Sequence, residues 1–318
     1  MAKSNTKGTN FLVQGSILAI ASIISRIIGL IYRIPMTAII GDVGNNYYAA
    51  AFDIYNVMLI ISSYSLPLAV SKLVSAKMAK GQFKTAYQVF KGALLFALAS
   101  GTIVAVIVFF GASFFTKTLL STPNSIFALR VLAPALVIVA VLGVIRGFFQ
   151  GLGTMMPSAV SQIIEQVVNA IVSVWAAYVL YRVGAKTGAV LGDKEHYAAA
   201  YGAAGGTLGT NLGSVAALLF VLFVFAVYLR VFKRIMKKDR HVKVDSFAYT
   251  MKVLVITIIP VLLSTTIYNI SGIIDQGIFK KVALMQGYAN DDVEVWWGVF
   301  SGKYKLMINV PISIASAM

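Results

Sequence analysis

Long apolar runs separated by short polar segments make up almost the whole chain. The run from Val253 to Ile274 holds no charged residue and shows no alternation of apolar and polar positions. A helix needs about 20 apolar residues to cross a hydrocarbon core, whereas a barrel strand would alternate over about 10 residues. The pattern therefore predicts an all-α, polytopic membrane protein with transmembrane helices at 12–40, 47–76, 86–115, 125–150, 156–181, 199–229, 248–279 and 297–318, about eight in all.

Composition excludes a soluble globular domain. Hydrophobic residues make up 59% of the chain, charged residues only 12%, and the mean hydropathy is +0.84. The net charge of +16 does not indicate nucleic acid binding, because the basic residues lie in short segments between apolar runs. The chain has no cysteine, which excludes disulfides, iron–sulfur clusters and thiolate metal sites, and we expect no cofactor.

The distribution of lysine and arginine predicts the orientation in a bacterial plasma membrane. With the N-terminus in the cytoplasm, most of the basic residues between helices fall in cytoplasmic segments, including those from Arg230 to Lys252. The outer segments would hold fewer, namely Lys117, Arg182, Lys186, Lys194, Lys280 and Lys281. Because cytoplasmic segments of membrane proteins are enriched in Lys and Arg, we expect a cytoplasmic N-terminus.

The longest basic segment predicts a boundary between two lobes. We expect a six-helix transmembrane lobe at 1–230, a basic cytoplasmic linker at 231–247, and the start of a second transmembrane lobe at 248–318. The eighth predicted helix ends at Met318 with no flanking charge, so we expect the chain to be the front part of a longer protein. In the sixth predicted helix, glycines at 205, 209 and 213 form a small-residue pattern that predicts close packing against another helix.

Eight charged residues remain within the predicted helices: Arg26, Arg33, Arg130, Lys303, Lys305, Asp53, Glu165 and Asp275. A charge at membrane depth costs at least about 2.5 kcal/mol, so each should face a cavity or a partner. Arg26 and Glu165 fall near the midplane, and the others lie nearer the outer ends. This distribution predicts a polar cavity that can open to the outside, with Arg33 placed to pair with Asp53 and Asp275 with Lys303.

The candidate substrate-binding residues are Arg26, Arg33, Glu165 and Lys303. The bases are chosen because guanidinium and ammonium groups bind phosphate. Glu165 is chosen because it belongs to a polar stripe on the fifth predicted helix, formed by Ser161, Gln162, Glu165, Gln166 and Asn169. Asp53 and Asp275 are the candidates for a coupling cation or proton. The alternative for all of them is a structural ion pair or, for the bases, a side chain that extends to the membrane interface.

Several short segments carry a family resemblance: Ser25–Gly29, Leu66–Lys72, Gly147–Gly151 with Met156–Pro157, Ser161–Gln166 and Asn309–Pro311. In this order they resemble the multidrug/oligosaccharidyl-lipid/polysaccharide (MOP) exporter superfamily. Within it they are most similar to polysaccharide biosynthesis proteins of the stage V sporulation protein B type and to lipid II flippases of the MurJ type. The resemblance implies two six-helix lobes around a central cavity, and alternating access that flips undecaprenyl-pyrophosphate-linked sugars outward.

The same resemblance implies roles for particular residues. In the flippases, cationic residues of helices 1, 2 and 8 line the cavity, so Arg26 matches the helix 1 arginine and Lys303 is the helix 8 counterpart. The helix 2 basic residue has no equivalent here, because Asp53 and the run 57–61 occupy that region. Asp275 resembles a helix 7 position associated with cation binding in some members.

Three functions remain open. The first is a flippase or exporter of a polyprenyl-pyrophosphate-linked oligosaccharide or peptidoglycan precursor, whose partners are the lipid-linked glycan, membrane lipids and a coupling sodium ion or proton. The second is a cation-coupled multidrug antiporter that uses Glu165 or Asp53, although arginines in its cavity would repel cationic drugs. The third is a membrane-embedded glycan-lipid transferase, for which Asp291, Asp292 and Glu294 form the only acidic cluster.

Overall fold

The computed structural model describes residues 2–237, 239, 245–305 and 307–308. All regular elements in these ranges are helices, and six continuous helical stretches are long and apolar enough to cross a membrane. The predicted all-α class is confirmed. Most of the predicted linker between 238 and 244, and the end of the eighth predicted helix with Asn309–Pro311, lie outside the described residues.

The first helix, α1 (Ala2–Leu59), contains the first predicted helix and the first part of the second. Gly41 divides it, because its φ of 70° and ψ of −178° leave the helical region and strongly favour a residue without a Cβ. The two limbs, 2–40 and 42–59, fold back on each other, which brings the guanidinium of Arg33 over the ring of Tyr48. The predicted helix end near residue 40 is therefore confirmed.

The remaining helices run back and forth through the bundle. After a π-helical turn at Ile60–Tyr64 come α2 (Leu66–Ala79), α3 (Phe83–Ser113), α4 (Ile126–Gly151), α5 (Met156–Leu191), α6 (Lys194–Met236), α7 (Phe247–Met285) and α8 (Asn290–Val299), which continues into a π-helical turn at Phe300–Tyr304. We call the end of the bundle that holds Gly41 and the connections at 192–193 and 286–289 the kink end. The opposite end, with the turns at 80–82 and 152–155, is the linker end.

Helices α5 and α6 pack closely through small residues. A Cβ added at Gly205 would strike the backbone of Ala176, and one at Gly213 would lie 2.5 Å from the carbonyl oxygen of Glu165. Such close backbone approach is what small residues permit in membrane helices. The predicted packing role of the α6 glycines is confirmed.

Several predicted boundaries differ from the structure, among them those next to the acidic cluster and the basic segment. α8 begins at Asn290 rather than near 297, and its first turn carries Asp291 and Asp292, where carboxylates interact favourably with a helix N-terminus. The acidic cluster, which falls between the seventh and eighth predicted helices, is therefore helical, and Glu294 is buried. The basic segment is helical at both ends, since α6 continues to Met236 and α7 begins at Phe247. The division into two lobes stays a prediction.

Candidate functional site

A cavity of about 830 Å³ lies between the two limbs of α1, the middle of α7 and the chain that follows α8. Its polar lining includes Arg33, Tyr48, Asp53, Asn56, Asp275 and Lys305. The volume falls within the roughly 300–1,000 Å³ typical of small-molecule sites. A smaller cavity of about 470 Å³, with Phe279, Trp297 and Tyr304 in its wall, adjoins it and shares Asp275 and Lys305.

Arg33 is the one residue among the four substrate-binding candidates that lines this cavity. Its guanidinium carbon lies 5.2 Å from the centre of the Tyr48 ring, a cation–π contact that holds the side chain against the second limb of α1. The Nε of Arg33 is buried and has no hydrogen-bond partner among the described residues. A buried donor without an acceptor is costly, so the guanidinium of Arg33 keeps an unused hydrogen-bond donor next to the cavity.

The two predicted cation-binding acids, Asp53 and Asp275, line the same cavity. The Oδ1 of Asp53 lies 3.9 Å from the Nζ of Lys305, which is too long for a hydrogen bond and leaves the lysine loosely held. Among the described residues, the positive charges of Lys305 and Arg33 both act on Asp53. The site therefore combines two bases with two carboxylates.

Lys303 lies elsewhere, so the predicted pairing of Asp275 with Lys303 is wrong. Its Nζ is 2.8 Å from the Oδ1 of Asp42 near the kink end, and its side chain is 61% exposed. Lys305, two residues further along, occupies the cavity instead. Lys303 and Lys305 are two residues apart on one helical stretch, so their side chains point to nearly opposite sides and only one of them can face the cavity.

Arg26 and Glu165 do not line the cavity. Arg26 is exposed on the first limb of α1, about 10 Å from Arg33 toward the linker end by helical rise, and pairs with no acid among the described residues. Glu165 accepts hydrogen bonds from the Nη2 of Arg146 at 2.8 Å and from the hydroxyl of Ser214 at 3.2 Å. These contacts join α4, α5 and α6.

The polar stripe on α5 contacts neighbouring helices rather than the cavity. The Nε of Arg146 donates to the hydroxyl of Ser161 at 2.8 Å, Ser22 donates to the side chain of Gln162 at 3.2 Å, and Asn169 donates to the hydroxyl of Tyr32 at 3.3 Å. The stripe therefore binds α4 and α1 to α5. Its helical spacing was visible in the sequence, but nothing in that spacing identifies what the polar face contacts.

Comparison of the amino-acid sequence with known proteins identifies the family of this chain. The model of the family described as polysaccharide biosynthesis protein matches residues 12–317. The chain is 30% identical over 181 residues to the lipid II flippase MurJ of Bacillus subtilis (strain 168), a match that covers 54% of this chain and 33% of that protein. It is 28% identical over 153 residues to stage V sporulation protein B of the same organism, covering 48% and 30%. The chain thus spans about a third of the length of these curated relatives.

Solved transporter structures share the fold. An outward-facing multidrug resistance MATE family transporter of the MOP superfamily gives a TM-score of 0.62 at 17% identity and covers 96% of this chain and 62% of that one. An inward-facing one gives 0.58 at 16% identity, with coverages of 91% and 64%. The six long apolar helices and the shared fold together indicate a multi-pass membrane protein. The chain belongs to the polysaccharide biosynthesis protein family.

Proposed function

We propose that this protein moves a polyprenyl-pyrophosphate-linked glycan precursor across the membrane by alternating access. The observation that carries the proposal is the cavity in which Arg33, whose Nε lacks an acceptor, faces the same space as the loosely held Lys305. The similarity to a protein named as a lipid II flippase supports a lipid-linked cell-wall precursor as the substrate class.

The charges of the cavity suit a pyrophosphate. The planar guanidinium of Arg33 can bind two phosphate oxygens at once, and the ammonium of Lys305 can turn from Asp53 toward the anion. With the substrate absent, Asp53 and Asp275 balance the two bases, so the empty cavity carries no large net charge. Balance matters because a net charge is costly at membrane depth. Arg26, exposed nearer the linker end, is positioned to meet the substrate first.

A cation-coupled multidrug antiporter is the second candidate. The placement of Asp53 and Asp275 in one cavity favours it, since both carboxylates can bind a sodium ion or protons. For the flippase proposed above, Asp53 and Asp275 are likewise the proposed site for the coupling ion. Arg33 and Lys305 in that cavity disfavour a cationic drug as substrate. A transferase has less support, because Glu294 of the acidic cluster is buried against Tyr47.

We also propose that the kink end faces outward and that the N-terminus is cytoplasmic in a bacterial plasma membrane. The linker end carries Lys72, Lys77, Lys80 and Lys84, together with the basic C-terminal end of α6. Enrichment of Lys and Arg on the cytoplasmic side supports this orientation.

The test uses the full-length gene product in proteoliposomes. A fluorescent polyprenyl-pyrophosphate-linked disaccharide is added, and an impermeant quencher reports its leaflet. We expect flipping by the wild type and a loss of about tenfold in Arg33→Gln, since hydrogen bonds to charged groups contribute about 1.5–3 kcal/mol. Arg130→Gln is the matched control, because that exposed guanidinium also lies over an aromatic ring, Phe109, but outside the cavity.

Two results would contradict the proposal. Efflux of a cationic dye without flipping of the lipid would identify an antiporter. Recovery of a lipid with an altered glycan, detected by mass spectrometry, would identify a transferase.

A further inference from the structure

A buried polar cluster joins α1 to α7 and α8 at the kink end. Lys280 of α7 and Glu294 of α8 are only 1% and 2% exposed. The Nζ of Lys280 donates to the Oδ1 of Asn46 at 2.8 Å, and the hydroxyl of Tyr47 donates to the Oε2 of Glu294 at 2.8 Å. The side-chain amide of Asn124, just before α4, donates to the Tyr47 hydroxyl at 3.2 Å. We call Asn46, Tyr47, Lys280 and Glu294 the kink-end lock.

Close backbone contact accompanies the lock. The Nδ2 of Asn45 donates to the carbonyl oxygen of Gly298 at 2.9 Å. A Cβ at Gly298 would strike the carbonyl oxygen of Asp42, and one at Gly302 would strike the side chain of Asn45. The chain around α8 therefore lies directly on the start of the second α1 limb, in a fit that depends on glycine.

The lock lies next to the cavity, on its kink-end side. Tyr47 directly precedes Tyr48, which holds Arg33 in the cavity. Lys280 follows Asp275 by about 7.5 Å of helical rise, and Glu294 precedes the cavity residue Ser301 by about two turns. The three elements that line the cavity thus meet again just beyond it, in the lock.

We infer that the kink-end lock is the contact that closes the cavity at this end, and that it must separate for the substrate to leave there. This inference rests on the alternating access of the proposed function. Polar contacts suit a reversible closure, because their net contribution is small when water can replace the partner. A charge that loses its partner while still buried is strongly unfavourable. The contacts of Lys280 and Glu294 should therefore break together, with both side chains becoming hydrated as the end opens.

Labelling of a single introduced cysteine tests the lock without any substrate. Asn56→Cys places the reporter on an exposed wall of the cavity. These 318 residues hold no cysteine, and labelling of the full-length protein without Asn56→Cys gives the background from any other thiol. An impermeant maleimide is applied to intact cells and to inverted vesicles carrying the full-length protein. Leu191→Cys, exposed at the kink end, identifies which preparation presents that end to the reagent.

We expect Lys280→Met and Glu294→Gln each to raise labelling of the reporter from the kink-end side by about tenfold, the shift given by losing one buried charged contact. The matched controls are Lys281→Met and Asp292→Asn, which remove the same charges from exposed neighbours and should leave labelling unchanged. Gly298→Val should raise labelling as well, since it separates the backbones and removes no polar group.

A disulfide cross-link between two introduced cysteines provides a second test, which applies even if those variants fail to fold. Asn45→Cys with Gly302→Cys would place two thiols in contact, and oxidation should stop transport while reductant restores it. Wild-type labelling in folded lock variants, or full transport by the oxidised pair, would overturn the inference. Raised labelling without any lipid flipping would instead leave the lock standing and remove the proposed substrate.

Discussion

At the scale of single residues, the cavity distinguishes two lysines that are almost adjacent in the sequence. Lys305 lines the cavity, whereas Lys303 pairs with Asp42 at an exposed position. We expect Lys305→Gln to reduce flipping of the lipid-linked disaccharide by about tenfold, because a charged contact to the pyrophosphate is lost. Lys303→Gln should cost less than about twofold, since exposed ion pairs contribute little.

Initial flipping rates at matched protein density would decide between the two lysines. If Lys303→Gln proves the more damaging change, the resemblance-based role of Lys303 is right and the assignment of Lys305 fails. Lys281→Gln, exposed at the C-terminal end of α7, controls for loss of a positive charge from the surface.

The residue types of the site could be predicted from the sequence, but their partners could not. Arg33, Asp53 and Asp275 were identified because charges inside apolar runs need a cavity, and all three line one. Lys303 was predicted instead of Lys305 because its depth and its place in the family resemblance favoured it, and the structure puts Lys305 in the cavity. Glu165 satisfied the same burial rule as Arg33, yet it pairs with Arg146. Burial of charge identifies both kinds of residue without separating them.

At the scale of helices, the Arg146–Glu165 pair joins α4 to α5 and α6. Both side chains are mostly buried, so Arg146→Ala should leave Glu165 unpaired and lower the free energy of unfolding by about 3–5 kcal/mol. Replacing both residues with Met should recover most of that loss, because no charge is then left buried. Thermal unfolding in detergent, followed by intrinsic fluorescence, measures both. Equal destabilisation by single and double variants would show that the ion pair is not the cause.

The α5–α6 interface makes a separate prediction. Gly205→Leu should separate the two helices, because even a Cβ at this position strikes the backbone of Ala176. Overpacking of this kind typically costs about 1–3 kcal/mol, which corresponds to a lower melting temperature in the same unfolding assay. Gly15→Ala is the control, since a Cβ there has open space. An unchanged melting temperature for Gly205→Leu would mean that the helices can separate without loss.

At the scale of the whole molecule, the all-helical fold and the order of its helices followed from the apolar runs. The contacts between the helices did not. The chain reversal near residue 40 was predictable because the apolar run is interrupted there. In the structure the reversal occurs at Gly41, whose backbone leaves the helical region. The placement of α8 against the start of the second α1 limb depends on Gly298, Gly302 and the buried Glu294. These contacts bring together residues more than 240 positions apart, and no local pattern in the chain encodes such pairing.

Orientation is the last whole-molecule prediction, and it rests on charge alone. Lys80 at the linker end and Leu191 at the kink end are both exposed, so each can be replaced singly by Cys with little effect on packing. With a cytoplasmic N-terminus, an impermeant maleimide should label Leu191→Cys in intact cells and Lys80→Cys only in inverted vesicles. Labelling in the reverse pattern would invert the membrane orientation, and the kink-end lock would then close the cavity toward the cytoplasm instead of the outside.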